Sequence, residues 1–64
     1  MERLYVAYYF ASWDDGHDVG SFYFYSTHRA NSKPNIEDAI RAYREEFGRW
    51  HMVEITETRL KHWR

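Results

Sequence analysis

The sequence predicts an α+β domain in which three antiparallel strands carry one helix on one face, in the order β-β-α-β. Two alternating runs flank a set of turn-forming residues, a segment with helical spacing follows, and a last alternating run comes after it. Because connections are short and crossovers are right-handed, we expect the third strand beside the first, giving the sheet order 2-1-3. A chain of 64 residues has material for one core, so we expect a single domain over 1–64.

The first two strands are predicted from alternation with a period of two. One run extends from Arg3 to Phe10 and the other from Phe22 to Tyr25, and together they contain many of the aromatic residues that make up 20% of the chain. The segment between them, 13–20, contains Asp-Asp-Gly and a second glycine. These residues predict a hairpin loop longer than the tight two-residue type.

A helix is predicted between Asn35 as the N-cap and Gly48 as the left-handed C-cap residue. Apolar side chains recur along it at helical spacing and define one face, at Ile36, Ala39, Ile40, Tyr43 and Phe47. Alternation returns from His51 to Thr56 and predicts the third strand. The tail, residues 58–64, either extends this strand, turns into a short helix, or frays, and the spacing of Leu60 and Trp63 favours a helical turn or docking against the body.

This assignment divides the apolar side chains between a core and a sheet face that the helix does not cover. The predicted core consists of Leu4, Val6, Tyr8, Phe10, Phe22, Phe24, Ile36, Ile40, Tyr43, Phe47, Val53 and Ile55. The opposite face is predicted to carry Tyr5, Tyr9, Tyr23, Tyr25, Trp50 and Met52. A slip of one residue in the register of a strand would exchange these two sets in that strand.

The uncovered aromatic face predicts a protein contact surface, because large apolar patches mark interfaces and tyrosine and tryptophan are enriched in binding hot spots. Closed homodimers are the commonest oligomers, so we expect a homodimer and, beyond it, a bacterial host protein as a partner. The alternative is a solvated face, since tyrosine favours strands and tolerates water at its hydroxyl.

Binding of single-stranded nucleic acid is a further alternative, because aromatic side chains on a sheet can stack bases. The basic residues available for it are Arg3, Arg29, Lys33 and Arg49. The formal net charge of −1 argues against it, since nucleic-acid binders usually carry a basic excess. We therefore expect a protein partner.

Catalytic and metal-binding patterns are weak in this sequence. Asp14, Asp15 and Asp18, with His17 among them, are the candidate metal ligands, but they lack the spacing of an EF-hand loop, and Asp-Asp-Gly is an ordinary turn sequence. The histidines and serines have no metal-site or nucleophile-elbow spacing. We expect neither an enzyme nor a bound cofactor.

Composition indicates a cytoplasmic protein. The chain has no cysteine, which excludes disulfides and is typical of a reducing compartment. No apolar run approaches the roughly 20 residues that span a bilayer, and the start of the chain lacks a signal-peptide pattern. We expect no membrane association.

Two resemblances add to these expectations. The aromatic first strand, the glycine-containing turn, the second strand and the helix start Asn35-Ile36-Glu37-Asp38 resemble short β-β-α-β proteins of bacteriophages and mobile elements. Some small phage proteins bind and block host defence enzymes, so this resemblance implies an inhibitor in a bacterial cytoplasm. Asp14-Asp15-Gly16 and Glu37-Asp38-Ala39 also resemble HicB-type antitoxins, which implies an antitoxin-like regulator, although the proline-rich segment and the DNA-binding extension are missing.

Overall fold

The computed structural model describes residues 1–61 and confirms the predicted fold class. Its elements are the strands β1 (Arg3–Trp13) and β2 (Gly16–Ser26), the helix α1 (Lys33–Glu46) and the strand β3 (Met52–Leu60). The sheet is antiparallel with the order β2-β1-β3, as expected. Residues 58–60 of the predicted tail belong to β3, whereas the predicted docking of Trp63 lies outside the described residues.

The hairpin between β1 and β2 is tighter than the sequence suggested. Trp13 pairs with Gly16, which leaves only Asp14 and Asp15 in the loop. The prediction of a longer loop was wrong because both glycines lie inside β2, where aromatic side chains of β1 cross them. A Cβ atom at Gly16 would lie 3.0 Å from Nε1 of Trp13, and one at Gly20 would lie 3.3 Å from the Tyr9 hydroxyl.

An irregularity in β3 affects which of its side chains share a face. Tyr8 pairs with Glu57 but Tyr9 pairs with Ile55, so Thr56 is one extra residue on β3. The Thr56 hydroxyl donates a hydrogen bond of 3.1 Å to the carbonyl oxygen of Tyr8. This bulge places Glu54 and Glu57, three positions apart, on the same side of the sheet.

The N-cap of the helix lies three residues before the predicted one, Asn35. Ser32 is the N-cap, its hydroxyl accepts a hydrogen bond from the backbone N–H of Asn35, and Pro34 occupies the first turn, a position where proline is tolerated because its N–H would be unpaired anyway. Asn35 lies inside the helix and is fully buried. Gly48 is not a left-handed C-cap, because Phe47 ends the helix in the right-handed conformation and no described glycine has a positive φ.

Outside β1 the core contains the predicted residues except Phe47, whereas within β1 it contradicts the prediction. Phe24, Tyr43 and Ile55 are buried, and four further predicted residues pack against them while partly exposed, namely Phe22, Ile36, Ile40 and Val53. Phe47 remains half-exposed although its ring contacts three core rings.

In β1 the face that meets the helix is the opposite of the predicted one. The buried residues are Tyr5, Ala7, Tyr9 and Ala11, whereas the predicted Leu4, Val6, Tyr8 and Phe10 are half-buried or exposed. The small side chains of Ala7, between the two tyrosines, and Ala11, beyond Tyr9, leave room for the helix, where Ala39 and Tyr43 are also buried. The prediction chose the more apolar of two alternating sets, but packing space favoured the set that contains the small residues.

Candidate contact surface

Above the sheet, on the side away from the helix, the side chains form an uncovered surface that we name the open face. Pairing register, alternation and exposure place 14 side chains on it: Leu4, Val6, Tyr8, Phe10, Ser12, His17, Val19, Ser21, Tyr23, Tyr25, Met52, Glu54, Glu57 and Arg59. Because the only described helix packs on the other side, no element of residues 1–61 covers this surface. It is a contiguous apolar surface with a charged border on β3.

Three of the six residues predicted for the contact surface lie on the open face. Tyr23 and Tyr25 are 61% and 63% exposed, and Met52 is exposed at the end of the same face near the hairpin. Trp50 is 90% exposed but precedes β3, at a corner outside the sheet. A contact role for these four residues stays a prediction.

The other two predicted residues, Tyr5 and Tyr9, belong to the core, so their assignment to the exposed face was wrong. The ring of Tyr5 stacks on Phe24 with centroids 5.6 Å apart. The ring of Tyr9 lies 5.1 Å from that of Tyr43. Both side chains point towards the helix because they belong to the same alternating set of β1 as Ala7 and Ala11, and this set faces the helix.

The hydroxyl of Tyr9 is held at the end of the core nearest the hairpin. It donates a hydrogen bond of 2.8 Å to Oδ2 of Asp18. This hydrogen bond, with burial and the charge of Asp18, raises the pKa of Tyr9 to about 12. Tyr9 therefore remains protonated and fixed in the core at physiological pH.

Sequence reasoning missed Tyr8, Phe10 and Val19 as exposed residues. The signal that could have found them is the spacing of Ala7 and Ala11, because a helix packs closely only where the sheet presents small side chains. Gly20 is a second signal, since its missing side chain accommodates the Tyr9 ring on the helix side. Together these residues determine which alternating set of β1 side chains faces the helix.

Charged side chains of the open face lie along β3 and its end. Glu54 and Glu57 occupy the half near the hairpin, and Arg59 with Lys61 occupies the other half. Arg59 Nε donates to Glu57 Oε2 at 2.8 Å, and its guanidinium lies 5.8 Å from the centroid of the Tyr8 ring. The Lys61 ammonium lies 5.5 Å from the centroid of the Tyr23 ring. The border thus has an acidic end and a basic end.

The residues predicted for the nucleic-acid alternative are not gathered on the open face. Arg3, Arg29 and Lys33 are exposed, at the start of β1, in the loop before α1 and at the first residue of α1 respectively. Arg49 follows the other end of α1, about 20 Å away from Lys33 at 1.5 Å per residue. They do not form one basic surface.

A shallow groove of about 680 Å³ runs along the solvent side of the helix. It is lined by the arginines Arg41, Arg44 and Arg49 together with Glu37, Glu45, Ile40 and Trp50. Asp38 pairs with Arg41 at 2.8 Å beside it. The mixture of both charges gives this groove no preference for one class of ligand.

The hairpin loop offers no assembled metal site. Asp14 and Asp15 are exposed, and Asp18 accepts the hydrogen bond from Tyr9. Within residues 1–61, no group of three or more histidine, cysteine, aspartate or glutamate side chains is arranged to hold a metal ion. Over the same residues, no helix is long and apolar enough to cross a membrane.

Comparisons with known proteins leave the site to be interpreted from its own geometry. No protein-family model matches the chain, and no curated protein or solved structure matches it significantly.

Proposed function

We propose that this protein is a small protein-interaction module and that the open face is its contact surface. The observation that carries the proposal is the cluster of exposed aromatic side chains at Tyr8, Phe10, Tyr23 and Tyr25 on one side of the sheet. Such side chains contribute large contact areas at low cost in rotamer entropy, which is why they are enriched in binding hot spots.

The arrangement of the open face also resembles that of known interfaces. Aromatic and aliphatic residues lie on β1 and β2, whereas the charged residues Glu54, Glu57 and Arg59 lie on the outer strand β3. Protein interfaces likewise combine an apolar centre with a polar rim. A second copy of the chain is the partner we expect, and blocking a bacterial host protein, as the phage resemblance implies, is a more specific form of the same function.

The double variant Tyr23→Ser/Tyr25→Ser tests the proposal. Both side chains are exposed, so the fold should remain intact while association with a protein partner weakens at least about tenfold. The measurement is the solution mass by light scattering over a concentration series. Arg44→Ser, on the exposed side of α1, is the control that should leave the mass unchanged.

If the double variant associates as strongly as the original chain while both unfold at the same temperature, the open face is not the contact surface. Trp50→Ser is a third variant for the same series. Weaker association of this variant would extend the surface to the corner before β3, whereas an unchanged mass would restrict it to the sheet.

Single-stranded nucleic acid is the second candidate partner, favoured by the two cations that lie over the rings of Tyr8 and Tyr23. The carboxylates of Glu54 and Glu57 on the same face oppose a phosphate backbone. Oligonucleotide binding would be strongest at low salt, because phosphate contacts release counterions. An absence of binding at low salt would eliminate this candidate.

A further inference from the structure

We infer that two copies of the chain stack open face on open face. The two-fold axis that relates them lies between the two sheets, parallel to their planes, and crosses the strands at right angles at the level of Ala7. The inference rests on the proposed function and specifies the partner and its geometry. It follows from the distribution of charge and side-chain size over the open face. On each of the three strands, the row of open-face side chains is complementary to the same row of the partner when the two rows run in opposite directions.

The row on β3 is complementary in charge. The row begins with Met52 at the hairpin end, and its charged side chains follow in the order Glu54, Glu57, Arg59 and then Lys61 beyond the strand. Reversal about the level of Thr58, which pairs with Ala7, places Glu57 opposite the partner's Arg59. The same operation places Glu54 opposite the partner's Lys61. Each chain thus contributes both signs, and the two-fold axis generates every opposite-charge contact twice.

The row on β1 is complementary in size. Leu4 and Val6 occupy one half and the larger rings of Tyr8 and Phe10 occupy the other, with Ala7 between them on the opposite face. Reversal about Ala7 stacks Tyr8 on the partner's Val6 and Phe10 on the partner's Leu4. Large side chains then pack over smaller ones, as close packing between two sheet faces requires.

The row on β2 is also complementary in size, but its large and small side chains occupy the opposite halves from those of β1. Tyr23 and Tyr25 lie beside the small half of β1, and Ser21 and Val19 lie beside its aromatic half. Reversal about Phe22, which pairs with Ala7, stacks Tyr23 on the partner's Ser21 and Tyr25 on the partner's Val19. The two apolar rows therefore fit under the same axis that matches the charges on β3.

An axis parallel to the strands satisfies fewer of these contacts. It would place the β3 row over the partner's β2 row. The carboxylates of Glu54 and Glu57 would then face the partner's Val19 and Ser21, which provide no positive charge. Glu57 would keep its ion pair with Arg59 of the same chain, but burying the carboxylate of Glu54 against such a surface is costly. The axis perpendicular to the strands avoids this cost because each carboxylate meets a cation.

The size of the open face is that of an interface at the low end of the range for specific complexes. The two longest strands have 11 residues each and extend about 36 Å, and three strands with their side chains are about 15 Å wide. The projected area is on the order of 500 Å² per copy, and the corrugated accessible area is larger. Standard interfaces bury about 800 Å² per partner.

Two charge-reversal variants test the arrangement. One is Glu54→Lys/Glu57→Lys, and the other is Arg59→Glu/Lys61→Glu. In the inferred dimer each variant faces its own copy with four like charges, so self-association should weaken at least about tenfold. An equimolar mixture should restore a 1:1 dimer, because each reversed row then meets a row of opposite charge. The measurements are light scattering and native mass spectrometry, with thermal unfolding to confirm that each variant folds.

Restoration of the dimer in the mixture alone would support the inferred axis. If each variant alone self-associates as strongly as the original chain, or if the mixture stays monomeric, the inferred axis is wrong. A strictly monomeric original chain, or one whose open face takes up an oligonucleotide and no second copy, would overturn it as well. If the charge variants still dimerise but Tyr23→Ser/Tyr25→Ser does not, the proposed function survives and only this geometry fails.

Discussion

Replacing Tyr43 with alanine is expected to lower the free energy of unfolding by about 3–5 kcal/mol, the cost of truncating a large buried aromatic side chain. Tyr43 is 2% exposed and its ring contacts those of Tyr9, Phe22 and Phe47 at centroid distances of 5.1, 6.0 and 5.1 Å. Small domains have a total stability of roughly 0.05–0.15 kcal/mol per residue, so the loss is a large share of the whole. Urea unfolding followed by circular dichroism measures it.

Tyr43→Phe is the matched control for this variant. It keeps the ring and removes only the hydroxyl, which forms a hydrogen bond of 2.7 Å with Nδ1 of His51. We expect it to cost about 1 kcal/mol, the usual net value of one hydrogen bond. Equal losses in Tyr43→Ala and Tyr43→Phe would contradict the packing role of the ring and assign its importance to the hydroxyl.

Asn35→Ala is expected to destabilise the fold by about 2–4 kcal/mol, because it removes a hydrogen bond from each of two polar partners in a buried network. Asn35 is fully buried; its Nδ2 donates to the carbonyl oxygen of His28 at 3.0 Å, and its Oδ1 accepts from the Thr58 hydroxyl at 2.6 Å. Thr58 also exchanges two hydrogen bonds with Asn31, each of 2.8 Å. This network joins the loop before α1 to β3.

A double-mutant cycle with Thr58→Val separates the pair from its surroundings. If the two side chains act together, the double variant should lose less stability than the sum of the single variants. Chemical denaturation of the four proteins gives the coupling. Strict additivity, or a loss below about 0.5 kcal/mol in Asn35→Ala, would show that the buried amide does not hold the loop to the strand.

The sequence predicted the fold class and strand order because alternation, helical spacing and connection rules are local signals with few competing solutions. It failed at Asn35 for a reason that is also local. Asparagine is a good N-cap, but Pro34 is favoured in the first turn, and Ser32 could therefore cap an earlier start. The amide of Asn35 then became available for the buried network.

The face of β1 could not be predicted from apolar content alone, because both alternating sets contain aromatic residues. Tyr5 and Tyr9 carry hydroxyls, which made them look like surface residues beside Leu4 and Val6. Their burial depends on partners distant in the sequence, including Phe24 for Tyr5 and Asp18 for the hydroxyl of Tyr9. The sequence thus predicted an aromatic sheet face as the candidate site, but it assigned the wrong residues of β1 to that face.

The chemical accessibility of the six tyrosines tests most directly the central claim that the open face is the contact surface. Tyr5, Tyr9 and Tyr43 are buried in the core, and Tyr8, Tyr23 and Tyr25 lie on the open face. The measurement is the nitration rate of each tyrosine, determined by mass spectrometry over a concentration series. The account predicts rapid modification of the open-face tyrosines at low concentration, joint protection of these three as the chain associates, and slow modification of the core tyrosines throughout. Rapid nitration of Tyr5 and Tyr9, or open-face rates that stay constant while the solution mass rises, would contradict it.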